Sequence, residues 1–437
     1  NAKLRGYQIE GFRWMCRLDA WGAGACLADD MGLGKTLQAL AFLAYKADSG
    51  ASLVVAPKSV VLNWESEAKR FTPGLNVFVL NNLKNRSAVV NKAKANDIVV
   101  CTYGMLVTES EAVTKKQWNV VCLDEAHQIK NKQTQVSHVA MEINSGSRLI
   151  LTGTPLQNNL SELWNLFQFI NPGLLGTWMH FRNNFMLPEF DNERKMMLKD
   201  MTQPFILQRT KKDVLTDLPE KLLHTQYVEM TDNEFQVYEE MRRQAEVKFK
   251  KYKTREERRE AKTLDLTFFS ELMKLRLAAC SMRLVYNSWT AQSSKVIALL
   301  EILNNIASDP DNNIVVFSQF TSYLEMIKVE LKKQGRQFLY LDGQTPLDKR
   351  QEIVSQFQEG KCHLFLSSLK AGGLGINLTT ANYVILLDPW WNPAAEDQAT
   401  DRAHRIGQKR TVNVIRLITR GSIEEQVVRL GERKREL

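Results

Sequence analysis

Short runs of β-branched and aliphatic residues alternate with helical stretches through residues 1–155. Five runs, Ser52–Ala56, Val77–Leu80, Asp97–Thr102, Asn119–Leu123 and Arg148–Thr152, are bounded by polar turns and separated by helical patterns. Strands of that kind, joined by helices, belong to a parallel sheet covered on both faces. The alternation returns from Asn313 in Ile314–Phe317, Phe338–Leu341, His363–Ser367, Tyr383–Leu387 and Val412–Ile418. The expected fold class is therefore α/β, with two lobes that each carry a parallel sheet. Residues 159–294 between them carry few strand signals and several aromatic-rich amphipathic stretches, so a helical segment is expected there.

A chain of 437 residues is too long for one core, which agrees with two or more domains. Lys and Arg number 58 against 49 Asp and Glu, a net charge of +9 that favours a polyanionic partner. The six cysteines form no CxxC pair and have no histidine at metal spacing, so buried free thiols are expected rather than a zinc site. No run of 18 apolar residues exists, and no membrane partner is expected. The chain begins at Asn1 without Met or a signal peptide and reads as a trimmed core.

Candidate chemistry starts at DDMGLGKT (Asp29–Thr36), between the apolar run Gly24–Ala28 and the helical pattern Leu37–Tyr45. Gly32 and Gly34 let backbone N–H groups curl around phosphate at a helix N-terminus. Lys35 can reach the β- and γ-phosphates of ATP, and the Thr36 hydroxyl can ligate Mg²⁺. The strict phosphate loop has Gly where this chain has Asp29. In LDEAH, Asp124 ends an apolar run and can hold Mg²⁺, while Glu125 can orient and deprotonate the attacking water. The amide of Gln8 suits adenine. Far downstream, Asn392 can cap a helix begun by Pro393 and ended by Gly407, which would put Arg402 and Arg405 on one face. An ATPase that closes around nucleotide needs its loop on one lobe and such arginines on the other.

With these residues in hand, the chain resembles the Swi/Snf-type family of DNA-translocating ATPases within helicase superfamily two. LRGYQIEGFRWM, DDMGLGKT, VVAPKSVVLNWESE, VVCTYG, LTGTPLQNNLSELWNLFQFINP, PFILQRTKKDVLTDLPEK and DPWWNPAAEDQATDRAHRIGQ follow the family's order. In the family, PFILQRT carries paired basic residues where this chain has Gln208–Arg209. The resemblance implies two RecA-like lobes: a first over 1–215 with a helical insertion from about 159, a helical linker or insertion of the second lobe over 216–294, a second over 295–420, and a helical brace over 421–437. It implies ATP contacts at Asp29, Asp30, Met31, Gly32, Leu33, Gly34, Lys35, Thr36 and Gly375, and coupling through His127, Thr152 and Gln398. Glu125, Arg402 and Arg405 are the expected catalytic residues.

Tracking a DNA backbone needs short polar and amide donors at strand ends. Ser59, Asn63, Thr102, Tyr103 and Asn377 qualify, with Lys370 as a phosphate charge and Trp64 and Trp391 as further candidates; Trp390 is expected to pack on its lobe. The expected function is a DNA-stimulated ATPase that moves along double-stranded DNA without separating the strands and displaces DNA-bound proteins. The core is expected to be monomeric and intracellular, in cytoplasm or nucleoid if bacterial and in the nucleus if eukaryotic. The competing readings are a strand-separating helicase on DNA or RNA and a non-hydrolysing scaffold, against which the full set of ATP residues counts.

Overall fold

Runs such as SLVVA can bury both faces, and in the structure they do. The computed structural model describes residues 3–58, 60–129, 131–153, 160–186, 192–215, 218–253, 261–369 and 376–436. The chain divides into two compact units, Asn1–Asp217 and Leu218–Leu437.

In the first unit the described strands are β1 (Ala25–Leu27), β2 (Ser52–Ala56), β3 (Asn76–Val79), β4 (Asp97–Thr102), β5 (Trp118–Asp124), β6 (Ser145–Leu151) and β7 (Ile206–Leu207). They form one parallel sheet in the order β3-β4-β2-β5-β6-β1-β7. Successive residues of β2 serve opposite layers. Leu53 and Val55 pack with Tyr103, Leu163 and Phe167, whereas Val54 and Ala56 pack with Leu40, Leu43 and Trp64.

The second unit repeats the plan with β8 (Lys221–Val228), β9 (Ile314–Ser318), β10 (Leu339–Leu341), β11 (Leu364–Ser368), β12 (Tyr383–Leu386) and β13 (Val412–Thr419). Their order is β10-β11-β9-β12-β13-β8, again parallel. Strand β8 corrects the expectation of a helical linker or insertion over 216–294. It pairs with β13 along its length, yet only Val228 of its eight residues is buried. An edge strand with one side open has no need of an apolar run, so KLLHTQYV gave no strand signal. Among the described residues no helix is long and apolar enough to cross a membrane. Cys26, Cys101, Cys122 and Cys280 are buried, while Cys16 and Cys362 are half-buried.

The helix Ile423–Glu436 is tied to the second unit by a buried ion pair. Lys295 Nζ lies 2.7 and 2.6 Å from the two carboxylate oxygens of Glu424, and each residue is 1 % exposed. Glu424 Oε2 also accepts the Thr419 N–H at 2.9 Å. Removing one partner strands a buried charge, which typically costs 3–5 kcal/mol. Lys295→Met should therefore destabilise the second unit by about that amount in urea denaturation. Adding Glu424→Gln, which keeps an acceptor for Thr419, should recover most of the loss.

Candidate ATP site

Parallel strands bring their carboxyl ends to one edge, where open α/β sheets bind ligands. β1 runs into DDMGLGKT, and the helix Lys35–Lys46 begins directly after Gly34, its N-cap at φ 77°. A Cβ on Gly34 would stand 2.5 Å from Gln8 Nε2, so both backbone angle and contact demand glycine there. β6 sets Leu151 beside Leu27 on one side and Asp124 on the other. Thr152 therefore follows between the phosphate loop and the acidic pair, its N–H donating to the Leu27 carbonyl at 3.1 Å.

The loop is fastened from two sides. Tyr7 Oη and Gln8 Nε2 both donate to the Leu33 carbonyl, at 2.9 and 3.1 Å. Gln8 also accepts the Arg5 N–H through Oε1 at 3.0 Å, so its amide touches the loop but is engaged with backbone at both ends. On the other side Arg209, just past β7, makes a two-pronged bond to Asp29: Nε to Oδ1 at 2.9 Å and Nη2 to Oδ2 at 2.6 Å. Gln38 joins both partners. Asp29 is fully buried, so its carboxylate acts as an anchor and only its backbone is left to line the loop. The sequence held the signal, since an Asp in place of the usual loop Gly, once buried, requires a cation. Arg209 of PFILQRT supplies it, a role the sequence reading missed.

Lys35 Nζ donates to the carbonyls of Asp29 (2.5 Å) and Asp30 (3.2 Å), protons for which a phosphate oxygen would compete. Burial pushes its ammonium below the ordinary range, opposed by the nearby carboxylates of Glu125, Asp124, Asp29 and Asp30. Asp124, 7 % exposed, accepts the Glu125 N–H on Oδ1 (2.9 Å) and the Trp64 Nε1–H on Oδ2 (2.8 Å). Burial, then repulsion from Glu125, pushes its carboxyl up to about 6, while the Trp64 bond and Lys35 pull it down. Glu125 adopts φ 49°, a left-handed conformation rare outside glycine. Strain of this kind costs of order 1–3 kcal/mol and concentrates at functional sites. A Glu125 carboxylate oxygen lies 3.5 Å from His127 Nδ1.

Two DNA candidates are corrected by burial. Trp64 is 1 % exposed and spends its N–H on Asp124; Tyr103 is 7 % exposed and donates its O–H to the Asp124 carbonyl at 2.7 Å. Asn63 is half-buried and bonded to Glu67, Thr102 caps the helix Tyr103–Thr108, and Asn377 is exposed. Ser59, Lys370 and Gly375 lie outside the described residues.

In the second unit the helix after Asn392 is Pro393–Thr400, capped as expected. It stops before the arginines, which corrects their expected placement on a common helical face. The Arg402 carbonyl accepts the Leu378 N–H (3.0 Å), and the Gln408 side chain donates to Ala381 and Ala403 while accepting from Lys409 and Arg410. These bonds replace the helical ladder with turns, so Arg402 and Arg405 lie in a turn and Gly407, at φ 103°, no longer ends a helix. Glu396 pins the preceding helix by accepting from Arg416 of β13 and the Trp390 N–H, both at 2.7 Å. Trp390 packs on the core, as expected, and the Trp391 ring lies under the Arg276 guanidinium, 5.5 Å away. Gln398 is half-buried on that helix.

A model of the SNF2-related domain matches residues 7–284, more than half of the chain. The chain belongs to the Swi/Snf family of ATPases. A model of the helicase conserved C-terminal domain matches residues 294–407. The chain is 36 % identical to an uncharacterized ATP-dependent helicase of Mycoplasma pneumoniae, over 99 % of this chain and 42 % of that protein. It is 34 % identical to the ISWI chromatin-remodeling complex ATPase ISW2 of Saccharomyces cerevisiae, over 99 % of this chain and 40 % of that one. The chain thus spans less than half the length of these relatives. Among solved structures it is similar to the Sulfolobus solfataricus SWI2/SNF2 ATPase core in complex with dsDNA, at 36 % identity and a TM-score of 0.50, covering 100 % of this chain and 92 % of that one. The fold of both units is the RecA-like one of this family.

The residues fit ATP with Mg²⁺. The glycine cradle and Lys35 suit phosphate, and the Asp124 carboxylate with the Thr36 hydroxyl is a hard oxygen donor set. The buried carboxylate also gives a stability test. Asp124 holds its proton more tightly in the folded protein than at its ordinary value of 3.8. That contribution is present below about pH 4 and is lost as pH rises through about 6. Asn cannot titrate, so the stability of Asp124→Asn relative to the parent should shift in the variant's favour by roughly 1–3 kcal/mol between pH 4 and pH 7. Urea denaturation at the two pH values measures it, and a pH-independent difference would contradict this assignment.

Proposed function

We propose that this chain is the motor core of a DNA-dependent ATPase, which translocates on double-stranded DNA without separating the strands and displaces or remodels DNA-bound proteins. The observation that carries it is the convergence of DDMGLGKT, Thr152 and the Asp124–Glu125 pair on one sheet edge, in a chain of the Swi/Snf family. A relative solved with dsDNA and the excess of basic residues support the choice of duplex. The name of the M. pneumoniae relative favours the alternative, a strand-separating helicase on DNA or RNA.

In this reading the loop N–H groups and Lys35 bind the phosphates of ATP, with Thr36 and Asp124 holding Mg²⁺. When bound, the ion would neutralise phosphate oxygens and keep them in line for displacement. Glu125 takes the proton of the attacking water, its direction fixed by its unusual backbone angle and by His127 beside its carboxylate. Thr152, between loop and acidic pair, is placed to sense the change, and Gln398 is its coupling counterpart in the second unit. Arg402 and Arg405 are read as arginine fingers, supplying planar positive charge to the γ-phosphate.

Glu125→Gln should keep ATP affinity within a fewfold while abolishing turnover, because the phosphate contacts survive and only the base is lost. Lys35→Ala should weaken nucleotide binding as well, and an equal loss of binding in both variants would mean the two roles are misassigned. Duplex DNA should raise the hydrolysis rate more than single-stranded DNA or RNA, with affinity falling steeply as salt rises. A larger stimulation by RNA, or unwinding of a labelled duplex, selects the helicase reading. Arg405→Ala should reduce DNA-stimulated turnover on the order of 10³-fold or more. Arg405→Lys should rescue it poorly, because a point charge lacks the guanidinium fork. Unchanged turnover with a lowered melting temperature would reduce Arg405 to a structural role.

A further inference from the structure

Asp124 is reached from two other segments by aromatic side chains whose polar atoms end on it. Trp64 lies on the helix Val61–Phe71, which follows β2, and Tyr103 opens the helix Tyr103–Thr108, which follows β4. β2 runs beside β5 and β4 beside β2, all parallel, so both helices leave at the same edge of the sheet as Asp124. The indole N–H meets the carboxylate oxygen Oδ2 at 2.8 Å, and the phenol O–H meets the main-chain carbonyl of the same residue at 2.7 Å. With the Glu125 N–H on Oδ1, the carboxylate has one donor on each oxygen and its backbone is held as well.

We infer that Trp64 and Tyr103 are positioning residues for the Mg²⁺-ligating carboxylate, fixing the direction in which Asp124 presents its remaining lone pairs. This rests on the reading of Asp124 as a metal ligand given above. A carboxylate accepts about four hydrogen bonds or ligands, so two donors leave it capacity for a cation while removing its freedom to rotate. The indole is well suited to the task. It is rigid and packed among Leu40, Leu43 and Val61, and a buried N–H needs an acceptor, so bond and packing enforce each other. Partners that orient a metal ligand are typically worth 10–100-fold in metal affinity or activity when removed.

The test is the ratio of ADP affinities measured by calorimetry in MgCl₂ and in EDTA, which reads the metal's contribution without any turnover. Trp64→Phe keeps the aromatic plate and deletes the N–H. It should lower that ratio about tenfold and raise the Mg²⁺ concentration needed for half-maximal effect, with ADP affinity in EDTA unchanged. Asp124→Asn in the same assay should abolish the Mg²⁺ dependence; if it does not, the metal-ligand reading itself fails, separately from the role of Trp64. A folded Trp64→Phe protein with the parental ratio, whatever its melting temperature, overturns the inference. Should Trp64→Phe not fold, Tyr103→Phe, which deletes one hydroxyl, decides on the same criterion: a lowered ratio supports the positioning role and a parental ratio refutes it.

Discussion

Two buried carboxylates at the edge of the first sheet, balanced in different ways, govern how the site is built. Asp29 opens the phosphate loop and is neutralised by the Arg209 guanidinium, with Gln38 completing the network. Asp124 receives its two carboxylate hydrogen bonds from an indole and a backbone N–H, both neutral. Burying a charge without a cation is expensive, and a group so placed shifts towards its neutral form. That is the direction found for Asp124. If Asp124 ligates a divalent cation as proposed, the ion would favour the ionised form with both donors kept in place. An electrostatic cost is thus held in a group that a bound cation would relieve, while Asp29 in the loop beside it is already neutralised by Arg209.

The Arg209 bond also concerns how the loop communicates. The segment running from β7 towards the end of the first unit crosses the loop at several points. The Leu207 carbonyl accepts from Ala28, the Arg209 carbonyl accepts from Asp30, and the Lys211 N–H donates to the Asp30 carboxylate at 2.9 Å. β7 itself is only two residues long, so backbone pairing alone would hold it weakly. Side-chain charge supplies the rest. This explains why an Asp is tolerated where the strict phosphate loop has glycine: its side chain points away from the cradle and into a fastening.

Legibility from sequence followed burial. All ten strands anticipated from apolar runs are present: eight are largely buried, as β-branched and aliphatic runs require, and the half-buried edge strands β3 and β10 are still written in apolar residues. Of the other three described strands, central β1 was read only as the apolar run Gly24–Ala28, whereas β7 and β8 are edge strands, one too short and one too exposed to carry that signature. In the site, the positions of Lys35 at a helix start and Asp124 at a strand end were legible because loop and strand-end geometry depends on local order. Trp64 and Tyr103 were misread because VVLNW and VVCTY look alike whether the aromatic meets solvent or a carboxylate across the sheet. Only the pairing of β2, β4 and β5 decides which it meets.

The arginines of the second unit show the same limit on a smaller scale. Helical spacing put Arg402 and Arg405 on one face, yet the helix ends at Thr400 and the Arg402 carbonyl accepts instead from Leu378, a residue on another segment. On the proposal that these arginines meet developing charge, a turn is the more useful setting for such a side chain. It can be aimed by contacts from outside its own segment, whereas a helical side chain follows its axis. The contacts that hold this turn are the Gln408 amide beneath it and the Glu396–Arg416 pair that fixes the preceding helix to β13. The guanidinium-bearing turn is thereby fastened to the second sheet, as its proposed role as a preorganised electrostatic group would require.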